Sequence, residues 1–144
     1  MRKANRKAMS MFQSHRFVLG FLALGLGACD APVSETAAGA SPPGAVWVLQ
    51  SINKSPVEAR TTLLFQPNGS IAGDAPCNSY SASQKIPLPW FEAGPITTTK
   101  RACEYLAEEN RYIRTLGDVI FAEITGDTML LTGDNGEELF YRIE

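Results

Sequence analysis

The chain has 144 residues, of which 13 are Lys or Arg and 15 are Asp or Glu, and its formal net charge at pH 7 is −2. Five of the basic residues and none of the acidic ones lie in the first 28 positions, so residues 29–144 carry eight basic and 15 acidic side chains. An acidic chain without a basic stripe is unsuited to binding nucleic acid, which requires clustered Lys and Arg.

The N-terminal residues resemble a bacterial lipoprotein signal. A basic stretch, "MRKANRKAMSMFQSHR", precedes the apolar run "FVLGFLALGLGA". That run is too short to span a bilayer as a helix but has the length of a signal-peptide core. It ends in "LGAC", which is similar to the lipobox, in which a cysteine is lipidated and becomes the new N-terminus. We therefore expect a signal peptide at 1–28 and lipid on Cys29; the alternative is an ordinary signal peptide cleaved nearby, with Cys29 incidental.

Cleavage before Cys29 would determine where the protein resides and which chemistry it lacks. Two or three acyl chains would hold it stably in a membrane, and the expected location is the bacterial cell envelope, facing the periplasm from the inner or the outer membrane. The single histidine, His15, would be removed. The mature chain could then form no histidine-dependent triad, Cys–His dyad or histidine metal site.

Residues 29–44 are expected to form a lipidated, disordered tether. The sequence after Cys29, "DAPVSETAAGASPPG", is small, polar and rich in proline, with Val33 as its only large apolar residue. Such a segment cannot bury enough apolar surface to offset the entropy that is lost when a chain is ordered. The remaining 100 residues, 45–144, are enough for one small domain with one core.

The domain alternates short apolar runs with turn signals. Strands are predicted in "VWVLQSI", "TTLLFQ" and "SIAGD", and the last two flank Asn68-Gly69, a strong hairpin signal. Near the C-terminus "FAEI", "TMLLT" and "ELFYRI" predict a three-stranded meander with turns at Gly126-Asp127 and "GDNGE". Between these regions, "KIPLPWFEA" (85–93) and "PITTT" (95–99) predict two short strands, which their prolines confine to edges or ends.

One segment departs from the β pattern. In "CEYLAEENRYIRTLG" (103–117), apolar residues recur at helical spacing from Tyr105 to Leu116. Glutamates come early and arginines late, which is the order that the helix dipole favours, and Gly117 is suited to end the helix. The pattern leaves open whether the helix continues to Ile120.

In this order the segments resemble the META domain family, which includes the heat-shock-associated HslJ lipoproteins. The matching features are "WVLQSI", "TLLFQPNGSIAGDAPCNSYSAS", "ITTTKRAC", the helix and "GDTMLLTGDNGEELFY", and together they cover essentially all of 46–143. The chain departs from the family where it has Pro76 before Cys77 instead of the frequent Gly, and where Lys100 and Arg101 replace a segment that often contains Met.

The resemblance implies an α+β fold: a compact, mainly antiparallel β-sheet or partial barrel with one helix packed on it. It also implies that the two cysteines of the domain lie close together. It implies no catalytic residue, because none is established for the family, and it offers a loose link to heat shock and envelope stress.

Cys77 and Cys103 remain as a pair once Cys29 is assigned to lipid. An even number of cysteines in an oxidising export compartment favours a disulfide, which would stabilise the domain by about 3 kcal/mol in the chain-entropy model. The alternatives are a reactive redox pair beside Lys100 and Arg101, and two free thiols. No C-x-x-C motif, the usual mark of a redox pair, is present.

Two further groups of polar residues are weighed as sites. Asn78, Ser79 and Tyr80 form a candidate recognition loop, although polar side chains that cap the backbone after a strand explain them equally well. The acidic residues between Asp118 and Glu138 invite a calcium or paired-carboxylate hypothesis, but "GDNGEE" lacks the alternating ligand spacing of an EF-hand loop.

The large aromatic residues are expected to build the core. They are Trp47, Trp90, Phe91 and Phe140. Proline flanks the Trp90-Phe91 pair, so Trp90 is the residue among them that we expect to be partly exposed.

Two functional hypotheses follow. The favoured one is a non-catalytic, monomeric envelope lipoprotein that supports stress tolerance by contact with an envelope protein or a small molecule, without nucleic acid or a cofactor. The rival is a thiol–disulfide enzyme or redox sensor that uses Cys77 and Cys103.

Overall fold

The computed structural model describes residues 35–144. The predicted signal peptide, Cys29 and the first part of the predicted tether lie outside the described residues. The described part has two helices, α1 (Ala37–Ala40) and α2 (Leu106–Asp118). Its strands are β1 (Trp47–Ile52), β2 (Ser55–Pro56), β3 (Thr62–Gln66), β4 (Ser70–Asp74), β5 (Ser79–Ser83), β6 (Thr97–Thr98), β7 (Phe121–Thr125), β8 (Thr128–Thr132) and β9 (Glu138–Ile143).

The strands form one antiparallel sheet. Their order is β6-β5-β4-β3-β1-β9-β8-β7, and β2 pairs with the end of β1. The sheet is not closed, because β6 and β7 stand at its two edges. This confirms the predicted α+β class and the mainly antiparallel sheet, although two helices rather than one pack on it.

The predicted hairpins form at their turn signals. Gln66 pairs with Ser70 across Asn68-Gly69, and Thr125 pairs with Thr128. Gly69 has a φ of 76° and Gly126 a φ of 59°, values that glycine adopts without the steric strain of other residues. The turn chemistry therefore sets the register of both hairpins.

The core lies on the inner face of the sheet and beneath α2. Of the predicted core aromatics, Trp47 and Phe91 are buried and Phe140 is half-buried, whereas Trp90 is 52 % exposed. Other large side chains that are fully buried are Ile52, Leu63, Ile71, Tyr112, Leu116, Met129, Leu131, Leu139 and Tyr141.

The middle of the domain departs from the predicted strands. Residues 79–83, which begin within the candidate recognition loop and for which no strand is predicted, form β5 and pair with β4 along its whole length. The predicted strand at 85–93 makes only isolated bridges at Pro87 and Trp90, because its prolines cannot donate to a ladder. The predicted strand at 95–99 is reduced to the two residues of β6.

Helix α2 passes through Gly117 and ends one residue later at Asp118, within the range from Gly117 to Ile120 that the sequence pattern leaves open. The chain leaves the helix at Val119, which has extended dihedral angles (φ −75°, ψ 140°) and is buried. Ile120 then donates its amide to the carbonyl oxygen of Thr132 at 2.8 Å. Burial of Val119 and pairing with the end of β8 therefore end the helix.

The prediction of a disordered tether does not hold for residues 35–44. Ala37 is fully buried, and the buried Ser41 accepts a 2.8 Å hydrogen bond from Nε1 of Trp47. Thr36 forms a bridge with Pro87. Composition misled here because small side chains can fill gaps beside a large one such as Trp47 without contributing much apolar surface of their own. The packed domain therefore begins before residue 45.

The two helices cover different ends of the sheet. At the end where β1 begins, Ser41, directly after α1, binds Trp47. Where β1 finishes, the carbonyl oxygen of Ile52 accepts a 2.7 Å hydrogen bond from Arg111 of α2. We refer to the latter as the α2 end, and it contains the most densely hydrogen-bonded polar side chains.

Candidate functional site

Three segments of the chain meet at the α2 end. These are the β4–β5 connection with Cys77, the residues after β6 with Arg101, and the start of α2. The structure joins Cys77 to Cys103 in a disulfide with 5.6 Å between the Cα atoms. We call this region the disulfide junction. The bond links the β4–β5 connection to the segment that leads into α2.

Asn78 connects the same three segments through its side chain. Its Nδ2 donates to the carbonyl oxygen of Arg101 at 3.0 Å and to Oε1 of Glu109 at 2.6 Å. Its Oδ1 accepts from Oγ1 of Thr99 at 2.8 Å and from the amide of Arg101 at 2.6 Å. Both donor hydrogens and both acceptor positions of the amide are therefore in use, and Asn78 is only 4 % exposed.

Glu109 supplies hydrogen-bond acceptors that the sheet cannot provide. Its Oε2 accepts from the amides of Cys77 at 2.8 Å and Asn78 at 2.9 Å, which lie between strands and have no ladder partner. The residue is 4 % exposed. Because a buried carboxyl group requires such partners, Glu109 and the turn stabilise one another.

Sequence analysis treated Glu109 as one of several helix-dipole charges and missed this role. A signal was present: Glu109 lies four residues after Tyr105 and three before Tyr112, on the apolar stripe of the helix. A charged side chain on that stripe must either reach water through a gap in the packing or bind polar groups inside the domain. Glu109 binds polar groups inside the domain.

Three tyrosine hydroxyls form a buried chain beneath the disulfide junction. Tyr80 donates to the carbonyl oxygen of Thr62 at 2.8 Å, and its hydroxyl lies 2.6 Å from that of Tyr112. Tyr141 donates to Tyr112 at 3.1 Å. Burial, with a further contribution from electrostatic repulsion between these groups, raises the pKa of each of the three well above the ordinary value of 10.0. They are neutral hydrogen-bonding groups at physiological pH.

The structure does not present the candidate recognition loop as predicted. Asn78 and Tyr80 are buried, with 4 % and 3 % exposure, and their polar atoms are bonded within the domain. Only Ser79 is exposed, and its Oγ donates to Oδ1 of Asp74 at 2.8 Å. The alternation of a β-strand explains this pattern, because Ser79 and Ser81 point away from the face that Tyr80 occupies.

An open cleft of about 340 Å³ adjoins the disulfide junction. Its rim carries two exposed cations, Lys100 and Arg101, and its floor is formed by Asn78 and Glu109. The other lining residues are Thr98, Thr99, Ala102, Leu106 and Asn110. Within the cleft, the hydroxyl of Thr99 donates to Oδ1 of Asn78, and the amide of Asn78 donates in turn to the carboxylate of Glu109.

The acidic residues considered as a calcium site are not gathered into one. Within residues 35–144, no group of three or more His, Cys, Asp or Glu side chains is arranged to hold a metal ion. In the same residues, neither helix has the length and apolarity that a membrane crossing requires.

Comparison with known proteins identifies the family. A model of the META domain matches residues 42–143. The NMR structure of a protein from Burkholderia xenovorans is similar with a TM-score of 0.56 and 22 % identity, over 69 % of this chain and 81 % of that one. A second NMR structure is similar with a TM-score of 0.57 and 21 % identity, over 69 % of this chain and 88 % of the other. At these identities the two structures show a shared fold only.

None of the curated proteins compared with the chain matches it. The family model, by contrast, covers well over half of the sequence and includes the disulfide junction and every strand. The chain therefore belongs to the META domain family.

Proposed function

We propose that the protein is a lipid-anchored, non-catalytic module of the bacterial envelope that acts by contact with a protein or a small molecule. The observation that carries this proposal is the use of Asn78, whose side chain spends all four of its hydrogen-bonding positions inside the domain. The asparagine of the Cys-Asn motif thus has a structural use, because every polar atom of its side chain is bonded inside the domain. The resemblance to heat-shock-associated lipoproteins motivates a contribution to envelope integrity under stress.

The anchor is tested by changing Cys29. Mass spectrometry of protein from the membrane fraction is expected to find a diacylglyceryl group on Cys29 at the N-terminus, and Cys29→Ser is expected to release the protein from membranes. Cys103→Ser is the matched control, because it removes a cysteine of the domain and should leave the protein membrane-bound. Unmodified native chain free in the periplasm would contradict the anchor.

We further propose that the contact surface is the cleft beside Lys100 and Arg101. This cleft combines exposed cations with a floor held rigid by hydrogen bonds, and a rigid floor lowers the entropic cost of binding. A photoreactive residue at Asn110 in living cells is expected to give a discrete adduct that is lost in an Arg101→Glu background. The same residue at Glu123, on the exposed face of β7, serves as control. Identical adducts from both positions would contradict a specific cleft.

The rival redox function has one observation in its favour: Cys103 is exposed, so an external thiolate could reach its sulfur. The surroundings of its partner argue against it. Reactive cysteines occupy electropositive sites, whereas Glu109 bonds directly to the amide of Cys77. Turnover of a dithiol reductant or a disulfide substrate by the purified protein would favour the rival over the binding function.

A further inference from the structure

The segment "IPLPW" at 86–90 exposes two large apolar side chains. Ile86 is 36 % exposed and Trp90 is 52 % exposed, and among the described residues these are the most exposed large hydrophobic side chains. Tryptophan is highly buried on average in folded domains, and here it is exposed together with a second large apolar side chain on the same short segment.

Trp90 is held rigidly against the edge of the sheet. Its indole ring packs against the phenyl ring of Phe121, with 4.6 Å between the ring centroids and 31° between the ring planes. The backbone on either side is bonded to β7 and to the residue before it: the carbonyl oxygen of Pro89 accepts from the amide of Ala122 at 2.9 Å, and the amide of Phe91 donates to the carbonyl oxygen of Ile120 at 2.8 Å. The segment therefore covers the β7 edge and presents Trp90 from a fixed support.

The chain enters the described domain at this same segment. Glu35 accepts a 2.8 Å hydrogen bond from the amide of Leu88, and Thr36 forms a bridge with Pro87. Cys29 precedes Glu35 by six residues. Six residues span at most about 20 Å in any conformation, so lipid on Cys29 would keep segment 86–90 within that distance of the membrane surface.

We propose that segment 86–90 is a membrane contact, in which Trp90 and Ile86 enter the boundary between headgroups and acyl chains of the bilayer that holds the Cys29 lipid. This inference rests on the proposed anchor. An indole ring suits that boundary because it combines a large apolar surface with one polar N–H group. The anchor supplies a high local concentration, so a contact of low intrinsic affinity is enough to orient the domain.

The charges around the segment indicate what drives the contact. Lys85 is adjacent to Ile86 and can extend its ammonium group to a lipid phosphate. Two exposed glutamates oppose this charge: Glu35, whose backbone is bonded to Leu88, and Glu92, two residues after Trp90. The local charge is therefore not strongly basic, and electrostatic attraction to anionic lipid is not the source of binding. The contact is instead driven by burial of apolar surface, so it should persist at high salt.

Depth-dependent fluorescence quenching tests the proposal. The lipidated full chain is reconstituted into vesicles of phosphatidylethanolamine and phosphatidylglycerol that carry a nitroxide either at the headgroup or along the acyl chain. Trp47 is fully buried, so its fluorescence is a constant background, and the Trp90→Phe protein shows that background by itself. A control variant, Ser55→Trp in the Trp90→Phe background, places an indole on β2, which is separated from β7 by the three strands β1, β9 and β8.

The expected result is loss of Trp90 fluorescence with membrane nitroxides, at low and at high salt, and no loss for the Ser55→Trp or Trp90→Phe proteins. Quenching at neither depth, in protein shown by mass spectrometry to be lipidated and by flotation to be vesicle-bound, would overturn the membrane contact and leave the anchor standing. That outcome would favour a protein partner for Trp90 instead of the membrane. Absence of lipid on Cys29 would overturn the anchor and, with it, the contact.

A second measurement leaves Trp90 unchanged. Amide hydrogen exchange of the peptide that spans 86–90 should be slower in the lipidated protein on vesicles than in the Cys29→Ser protein mixed with the same vesicles. Equal exchange in the two would contradict the proposal even if the Trp90→Phe protein failed to fold.

Discussion

At the scale of single residues, Asn78 and Glu109 carry the hydrogen bonds that neither strands nor helix can make. The amides of Cys77 and Asn78 lie in a turn, and the carboxyl group of Glu109 accepts both. A buried amide without a partner costs about 1–3 kcal/mol. The side chain of Asn78 performs the same task for the backbone of Arg101, whose amide and carbonyl oxygen it both binds.

Glu109→Gln tests this arrangement with almost no change of shape. One oxygen becomes an NH₂ group, which then faces either two backbone amides or the Nδ2 group of Asn78, all of them donors. We expect the free energy of unfolding, measured in urea, to fall by about 1–3 kcal/mol. Glu104→Gln changes an exposed glutamate just before the helix and should stay within about 0.5 kcal/mol of the wild type. Equal losses in the two variants would show that the Glu109 bonds contribute little.

The sequence predicts which helix or strand each residue of the disulfide junction belongs to, but it does not predict that these residues are in contact. Helical spacing puts Glu109 on the same stripe as Tyr112, and that signal was readable. Its partners, Cys77 and Asn78, lie more than 30 positions earlier in the sequence, and only the packing of α2 against the β4–β5 connection brings them into contact. A buried and an exposed glutamate look alike in sequence until such a partner is known.

At the scale of elements, the hairpins were predictable and β5 was not. Asn68-Gly69 and Gly126-Asp127 determine their turns locally. In β5 the residues do alternate, as Ser-Tyr-Ser-Ala-Ser, but serine and alanine have weak strand preference and a turn-rich stretch precedes them. Pairing along the whole of β4 supplies what the local preference lacks.

Two glycines, one on a strand and one on the long helix, provide a matched pair of substitutions. A Cβ atom on Gly73 of β4 would lie 1.9 Å from the carbonyl oxygen of Thr62, whereas one on Gly117 of α2 would meet nothing within 4 Å. Because the first clash is with backbone, Gly73→Ala should destabilise the domain by at least about 1–3 kcal/mol. Gly117→Ala should stabilise it by about 0.5–1 kcal/mol, because alanine loses less entropy in a helix.

Thermal unfolding of the two variants beside the wild type gives the comparison. The melting temperature should fall for Gly73→Ala and rise for Gly117→Ala. A Gly73→Ala protein as stable as the wild type would mean that β3 and β4 are not as close as the structure has them.

At the scale of the whole molecule, the tyrosine chain connects the two halves of the sheet to α2. Tyr80 belongs to β5, Tyr141 to β9 and Tyr112 to the helix, and their hydroxyls bond in sequence. Burial raises the pKa of all three above 10.0, so the folded state favours their neutral forms. Ionisation of any one of them would leave a charge in the core.

The stability of the domain should therefore decline in alkali. Between the pKa of the unfolded chain, about 10, and the higher pKa of the folded state, the folded protein binds more protons, so stability is complete below pH 10 and falls as the pH rises beyond it. Each of the three groups contributes a slope of up to about 1.4 kcal/mol per pH unit. Urea unfolding at a series of pH values above 9 measures the slope. Tyr112→Phe should reduce it by about one third, and an unchanged slope would contradict the assignment.

The central claim is that the disulfide junction is structural. It is tested most directly by the reduction potential of the Cys77–Cys103 pair, determined in redox buffers with peptide mapping of protein made in an oxidising compartment. Because reduction would release a connection that Asn78 and Glu109 also hold in place, the account predicts the crosslinked peptide and a potential below about −300 mV. Two freely alkylated thiols in the native protein, or a potential near −200 mV with exchange activity, would contradict it.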